Sequence, residues 1–192
     1  MKTRDSGMPE RDWWESFFEP DAIFDALGLV EIHGTAVDVG CGYGTFTLAL
    51  ARRSRHPVIG IDIEPDMVAL TRQRAEQAGL GQVQTQQVDI TEAGMGLAAG
   101  AVDLILVFNL LHCEQPQALL AELTASLRPG GRVAAIHWRR DVPTPRGPDL
   151  SIRPSPEDMR RMLSAAGLTI IRQPMLLPPY HVGLVGMKPA TQ

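Results

Sequence analysis

The residues of this chain best suited to chemistry sit at the ends of short apolar runs. Asp38-Val39-Gly40-Cys41-Gly42-Tyr43-Gly44 sets three alternating glycines between a strand-like and a helix-like segment. Alternate glycines let a chain turn sharply and bring bare backbone against a ligand. The helix beyond offers unpaired N–H groups and a positive dipole end to a carboxylate or phosphate. Alone, such a run could equally be a structural turn. It does not stand alone. Gly60-Ile61-Asp62 puts a carboxylate 24 residues after Asp38, where an acid can accept from both hydroxyls of a ribose. Val88-Asp89-Ile90 puts another where it can accept from an exocyclic amine, and Phe108-Asn109-Leu110-Leu111-His112 closes a fourth run. Each acid singly could be a helix cap or a solvated turn. Four in register, at the carboxyl ends of parallel strands, mark the edge where open α/β sheets bind ligands.

The elements that position these residues alternate, which predicts a layered α/β domain. Strands are expected at Ala36–Val39, Pro57–Ile63, Val83–Ile90, Val102–Phe108 and Arg132–Trp138. The fourth is apolar throughout after Asp103, as a strand buried on both faces should be. Helices are expected over Thr45–Arg53, from Pro65 to about Ala78, and along Leu119, Leu120, Leu123 and Leu127. Pro129-Gly130-Gly131 reads as the turn into the fifth strand. Five prolines between 143 and 156 forbid helix interior or central strand there, so that stretch is an extended loop, either a solvated connector or a lid. Ser155 should cap a further helix with Pro156 at its first position and Met159, Met162, Leu163 and Ala166 on its apolar face. Leu168–Gln173 and Val182–Met187 close the chain as two strands whose short link makes them antiparallel. Ahead of the first strand, Trp13, Trp14, Phe17 and Phe18 share one face of a helix, which is either docked on the sheet or a cover over a ligand site.

Length and composition narrow the classes. With 192 residues, 44% hydrophobic and 21% charged, the chain is one globular domain. A net charge of −4 gives no electrostatic reason to bind a polyanion. Two cysteines, Cys41 and Cys113, make neither a disulfide framework nor a four-cysteine zinc site, and no metal site is expected. The charged Met1-Lys2-Thr3-Arg4-Asp5 lacks the apolar core of a signal peptide, and no stretch approaches the roughly 20 apolar residues that span a bilayer. A cytoplasmic protein, without nucleic-acid or membrane partners, is the expectation; a homodimer is left open.

From Thr35 to Met187 the sequence resembles the class I S-adenosylmethionine-dependent methyltransferases, in particular the small-molecule branch with the ubiquinone/menaquinone-type enzymes. The resemblance implies a Rossmann-like, mostly parallel seven-stranded sheet with helices on both faces and an antiparallel last strand. It implies one methyltransferase domain over 1–192: an N-terminal helical cover (1–33), a cofactor-binding core (34–140), the proline-rich loop (141–157), and a C-terminal helix and strand pair (158–192). By position, Asp38, Gly40 and Gly42 would hold the methionine end of S-adenosylmethionine, with Cys41 a small residue in the turn. Asp62 would take the ribose hydroxyls, and Ile63 and Met67 would sandwich the adenine. Asp89 would receive the adenine amine and the N–H of Ile90 a ring nitrogen. Asn109 would meet the methionine ammonium.

The acceptor side is less defined. His112, His137 and Arg139 follow the fourth and fifth strands, and with Trp13 and Trp14 they are the candidate acceptor contacts. His112 could instead bond only locally, His137 faces an undetermined side of its strand, and Arg139-Arg140 could be plain solvated surface. Family members that methylate amino nitrogens of bases or glutamine carry Asn/Asp-Pro-Pro-aromatic after the fourth strand; Asn109-Leu110-Leu111-His112 departs from it, which favours a small organic acceptor. Two alternatives are a non-catalytic S-adenosylmethionine-binding protein and an NAD(P)-dependent oxidoreductase. Against the latter, position 45 is threonine rather than the last glycine of G-x-G-x-x-G, and neither Tyr43 nor Tyr180 has a lysine four residues on.

Overall fold

Seven strands, β1 (Ala36–Val39), β2 (Val58–Asp62), β3 (Val83–Gln87), β4 (Val102–Phe108), β5 (Leu127–Trp138), β6 (Thr169–Leu177) and β7 (His181–Met187), form a single sheet in the computed structural model, which describes residues 8–190. Residues 1–5, used above against a signal peptide, lie outside the described residues. The strand order is β3-β2-β1-β4-β5-β7-β6. The pairs β1–β2, β2–β3, β1–β4 and β4–β5 are parallel, and β7 runs antiparallel to both β5 and β6. The expected mostly parallel sheet with an antiparallel final strand is therefore present. Its central strands β1, β2 and β4 are buried along their whole length, which is why they read as continuous apolar runs.

Seven α-helices accompany the sheet: α1 (Arg11–Glu15), α2 (Pro20–Leu27), α3 (Thr45–Arg53), α4 (Pro65–Gln77), α5 (Ile90–Ala93), α6 (Pro116–Ser126) and α7 (Pro156–Ala165). Residues alternate between two cores on opposite faces of the sheet. Leu104, Leu106, Phe108, Ile136 and Trp138 pack with Phe24, Leu27, Phe46 and Leu50 of α2 and α3. Ile105, Val107, Val133 and Ala135 pack with Leu120, Leu123, Met159 and Leu163 of α6 and α7. Local signals set several boundaries. Proline opens α2, α4, α6 and α7. Ser155 and Asp158 form a reciprocal capping box at the start of α7.

The structure corrects five boundaries. β6 runs on to Leu177, past its expected end at Gln173, because its pairing with β7 continues to Leu177↔His181. β3 stops at Gln87, because Asp89 turns the chain into α5 by accepting the N–H and hydroxyl of Thr91 at 3.0 and 2.6 Å. Leu127 belongs to β5 and pairs with Val102 rather than lying on α6. Pro129-Gly130-Gly131 lies inside β5 as an irregularity, not before it. There the register with β4 jumps, and the Gly130 N–H bonds Lys188 O at 2.8 Å. Phe17 and Phe18 lie beyond the end of α1, so the four aromatics do not share one regular helix.

The proline-rich loop is tied down by a residue that sequence reasoning passed over. Arg153 is 5% exposed, and its guanidinium donates to the carbonyls of Pro148, Arg139 and Arg146 at 2.8, 2.6 and 3.2 Å. A fixed fork of five donors suits this task, since proline removes the N–H groups that would otherwise close turns. Arg153→Met should leave these carbonyls without their shared donor and destabilise the fold by about 2–3 kcal/mol. Urea unfolding would measure that loss, with faster proteolysis between residues 139 and 155. Unchanged stability and unchanged cleavage would show that the loop holds itself.

Candidate active site

Chain connections leave β1 and β4 in opposite directions along the sheet order, which opens a crevice at their carboxyl ends. The glycine elbow after β1 forms one wall of that crevice. Gly40, Gly42 and Gly44 all have positive φ, at 70°, 51° and 76°, a conformation that L side chains adopt poorly. At Gly44 a Cβ would also come within 2.7–2.9 Å of Leu48 and Thr71. The elbow is fastened at both ends. Ile61 O accepts from Gly40 N and Cys41 N at 2.7 and 3.0 Å, and Thr71 Oγ1 donates to Gly42 O at 2.9 Å.

Asp62, at the end of β2, is 7% exposed and splits its carboxylate between two loops. Oδ2 accepts the Gly42 N–H at 2.8 Å and Oδ1 accepts the Glu64 N–H at 3.0 Å. Each oxygen keeps a second lone pair for a ligand hydroxyl. Asp38 is almost fully buried, and its Oδ2 accepts from Thr47 Oγ1 of α3 at 2.6 Å. Burial pushes its ionisation up to about 7, helped by the Asp62 charge and opposed by the Thr47 hydrogen bond. Cys41 is buried beside Thr71, and desolvation pushes its thiol up, so it is a packing residue of the turn rather than a nucleophile.

Across the crevice, Asn109 is the one non-glycine residue with positive φ among the described residues, at 59°. Its backbone N–H bonds Ile136 O at 2.7 Å, but its Oδ1 is buried without a hydrogen-bond partner. A buried acceptor left unpaired carries a free-energy cost that a ligand donor can relieve.

Of the residues singled out from sequence, Asp38, Gly40, Cys41, Gly42, Asp62, Ile63, Asp89, Ile90, Asn109, His112 and Trp14 line this one cleft. Met67, Trp13, Arg139 and His137 do not. Trp13 is 46% exposed and packs edge-on to Phe17. Arg139 pairs with Asp141 at 2.8–3.0 Å. His137 lies fully buried behind His112. The structure adds Phe46, Phe108, Trp138 and the Arg146-Gly147-Pro148 stretch of the loop. Phe46 and Phe108 meet edge-on at 4.6 Å between centroids, and Trp14 meets Trp138 at 6.3 Å. A Cβ on Gly147 would fall 2.9 Å from Trp138, so the loop backbone lies directly on that indole. Phe46, on α3, was legible as an apolar helix residue but not as a cleft wall, because that depends on which face α3 turns to the crevice.

A family profile described as a methyltransferase domain matches residues 36–131. The chain belongs to that family. It is 31% identical over 166 residues to methyltransferase AacuQ of Aspergillus aculeatus, covering 80% of this chain and 52% of that one. It is 33% identical over 137 residues to a ubiquinone biosynthesis O-methyltransferase of Methylococcus capsulatus, covering 66% and 56%. The chain thus spans about half the length of the curated relatives it matches. A crystal structure of an S-adenosylmethionine-dependent methyltransferase from Aquifex aeolicus superposes with a TM-score of 0.80 at 23% identity, covering 93% of each chain, which is a likeness of fold.

The buried acid gives a signed pH prediction. Asp38 ionises near 3.8 in the unfolded chain and near 7 when folded. Between those values the folded protein holds a proton that the unfolded chain has lost, so this group weakens stability as pH rises through the window. Asp38→Asn keeps an acceptor for Thr47 without the charge. Its stability relative to the parent should be about 2–4 kcal/mol more favourable at pH 8 than at pH 4. Urea unfolding at the two pH values reads the difference; an equal offset at both would refute the buried-charge account.

Proposed function

We propose that this domain transfers a methyl group from S-adenosylmethionine to a small organic acceptor. The observation that carries the proposal is the pairing across the β1/β4 crevice of a bare glycine cradle, locked by Asp62, with the unpartnered buried Oδ1 of Asn109. Those residues fit the cofactor's chemistry. Asp62 offers spare acceptor capacity for ribose hydroxyls, and Asp38 and Asn109 Oδ1 offer acceptors for an ammonium. Ile63 and Ile90 supply apolar flanks for a base, with Asp89 beside them for an exocyclic amine. Met67 lies outside the cleft lining and has no part in this assignment.

When bound, S-adenosylmethionine supplies a methyl group on a sulfonium whose departure leaves a neutral thioether. What the protein adds is placement and exclusion of water. Trp14 and the Arg146-Gly147-Pro148 stretch line the same cleft, and the N-terminal segment and the proline-rich loop act as its covers. Membership of the family and the relatives' names support this reading, including the O-methyltransferase from Methylococcus. No helix among the described residues is long and apolar enough to cross a membrane. The unpaired Cys41 and Cys113 suit a reducing compartment such as the cytoplasm.

Calorimetry with S-adenosylmethionine, S-adenosylhomocysteine and NADH tests the proposal. The two sulfur nucleosides should bind and NADH should not. Asp62→Ala removes the acceptor shared by Gly42 and Glu64 and should weaken nucleoside binding about 10–100-fold while the protein stays folded by circular dichroism. Binding of NADH alone would overturn the proposal. Tight nucleoside binding with no label passed from S-adenosylmethionine to any compound in a metabolite extract would make this a binding protein instead of an enzyme.

A further inference from the structure

Behind the aromatic half of the cleft, two histidines form a relay with one consistent arrangement of protons. His137 Nδ1 lies 3.2 Å from the backbone carbonyl of Trp138. A carbonyl only accepts, so Nδ1 carries the hydrogen. His137 is fully buried, and desolvation drives its ionisation down to about 3, so the ring is neutral. Its Nε2 is therefore a bare lone pair. That lone pair lies 3.1 Å from His112 Nδ1, which must in turn donate. Half-burial lowers the His112 ionisation as well, so this ring too is neutral near pH 7. Its second nitrogen, Nε2, is left without a hydrogen. His112 lines the cleft, and with its Nδ1 engaged by His137, Nε2 is the ring nitrogen left for a ligand there.

The cleft that His112 lines also carries the aromatic side chains of Trp14, Phe108 and Trp138. They are flat and apolar, and suit a planar ring. We propose that His112 is the general base for methylation of a hydroxyaromatic acceptor, and that His137 is a positioning residue that fixes the His112 tautomer. This rests on the methyl-transfer reading above. In the step, the acceptor O–H bond breaks and its proton passes to His112 Nε2. The oxygen pair forms the bond to the methyl carbon, the carbon–sulfur pair stays with sulfur, and the proton later leaves His112 for solvent. No oxidant or metal enters the balance.

Three measurements test it, on the full chain. First, nitrogen-15 spectra of the imidazoles should show His112 protonated at Nδ1 and bare at Nε2 in the resting protein; the opposite tautomer would overturn the proposal. His137→Leu should erase that preference and His137→Gln, which can still accept, should restore it. Loss of the preference in neither variant would remove His137 from the role. Second, 4-nitrophenol bound beside S-adenosylhomocysteine should shift toward its phenolate spectrum below its free ionisation. His112→Gln should abolish the shift while keeping S-adenosylhomocysteine affinity within about twofold. A shift that survives the substitution would assign the proton to another group.

Third, label from S-adenosylmethionine should pass to members of a phenol and naphthol panel, and His112→Gln should slow it about 10²–10⁴-fold. The wild-type rate should fall in acid with a midpoint below the ordinary histidine value, and the variant should lack that limb. The groups shown to act on His112 among the described residues are His137 and Arg153, and the arginine does not titrate in that range. Label passing only to a thiol, an amine or a carbon acid would overturn this assignment and leave the methyl-transfer reading standing. Failure to bind S-adenosylmethionine at all would instead remove that reading.

Discussion

The Asp62 carboxylate joins the end of β2 to the elbow after β1. Its two oxygens hold the N–H groups of Gly42 and Glu64, donors that cannot be closed within a strand or helix at that point of the chain. The elbow needs such an anchor because its three glycines gain conformational freedom in the unfolded chain and lose it on folding. Once Gly42 is held, α3 starts at a fixed place, and Thr47, two residues into its first turn, meets Asp38 at 2.6 Å. Gly60 serves the same geometry from beneath: a Cβ there would press on Cys41 and Thr47 at 3.2–3.3 Å, so β2 can pass close under the turn only because that position is bare. A ligand-facing loop is thus made rigid by an acid that still has lone pairs to offer the ligand.

The parts legible in the sequence are those set by local chemistry. β1, α3, β4 and the Ser155 cap follow from unbroken apolar runs, proline at a first helical position and a hydroxyl before it, and all appear within a residue of their expected limits. The errors fall where a distant partner or a side-chain cap overrides the simpler local signal. Pro129-Gly130-Gly131 looks like a turn, yet Lys188 from the far end of the chain supplies the pairing that keeps β5 running through it. Asp89 looks like a strand terminus, yet its side chain caps Thr91 and opens a helix, so β3 stops three residues short of Ile90. Arg153 was illegible because its value lies in three carbonyls spread over ten residues, 139–148, a relation no spacing rule encodes. The site divides the same way. Glycines and acids announce themselves by type and spacing, whereas the aromatic wall is assembled from α3, β4, β5 and the segment before the sheet.

Several of the buried polar groups in this half of the molecule carry a folding cost. Asp38 is held where its charge is disfavoured, and His137 and His181 are held where theirs is nearly forbidden, with burial driving both to about 3. His181 packs against Trp138 and Phe18 at 4.2 and 4.7 Å between ring centroids, and its Nε2 is unpartnered. An apolar residue of similar shape would serve packing better at these positions. These three groups sit on β1, β5 and β7, the last two adjacent, at the end of the sheet where the cleft opens. Polar groups at a site edge are where sequences depart from the most stable choice in favour of chemistry.

The cleft is chemically divided because the sheet is. The strands on one side of the switch end in acids, Asp38, Asp62 and the nearby Asp89, while β4 and β5 on the other end in Phe108 and Trp138. Parallel pairing brings those ends to one edge, and the alternation along β5 sends Trp138 to one face and His137 to the other. Consecutive residues therefore do different work: the indole walls the cleft and carries the Gly147 backbone, while the imidazole backs His112 from behind the sheet edge. The loop that closes over the indole is fastened by Arg153 to the carbonyl of Arg139, one residue past Trp138. The indole, the loop lying on it and the His112–His137 pair thus share one short stretch of backbone at the end of β5, and a displacement of that stretch would move all three together.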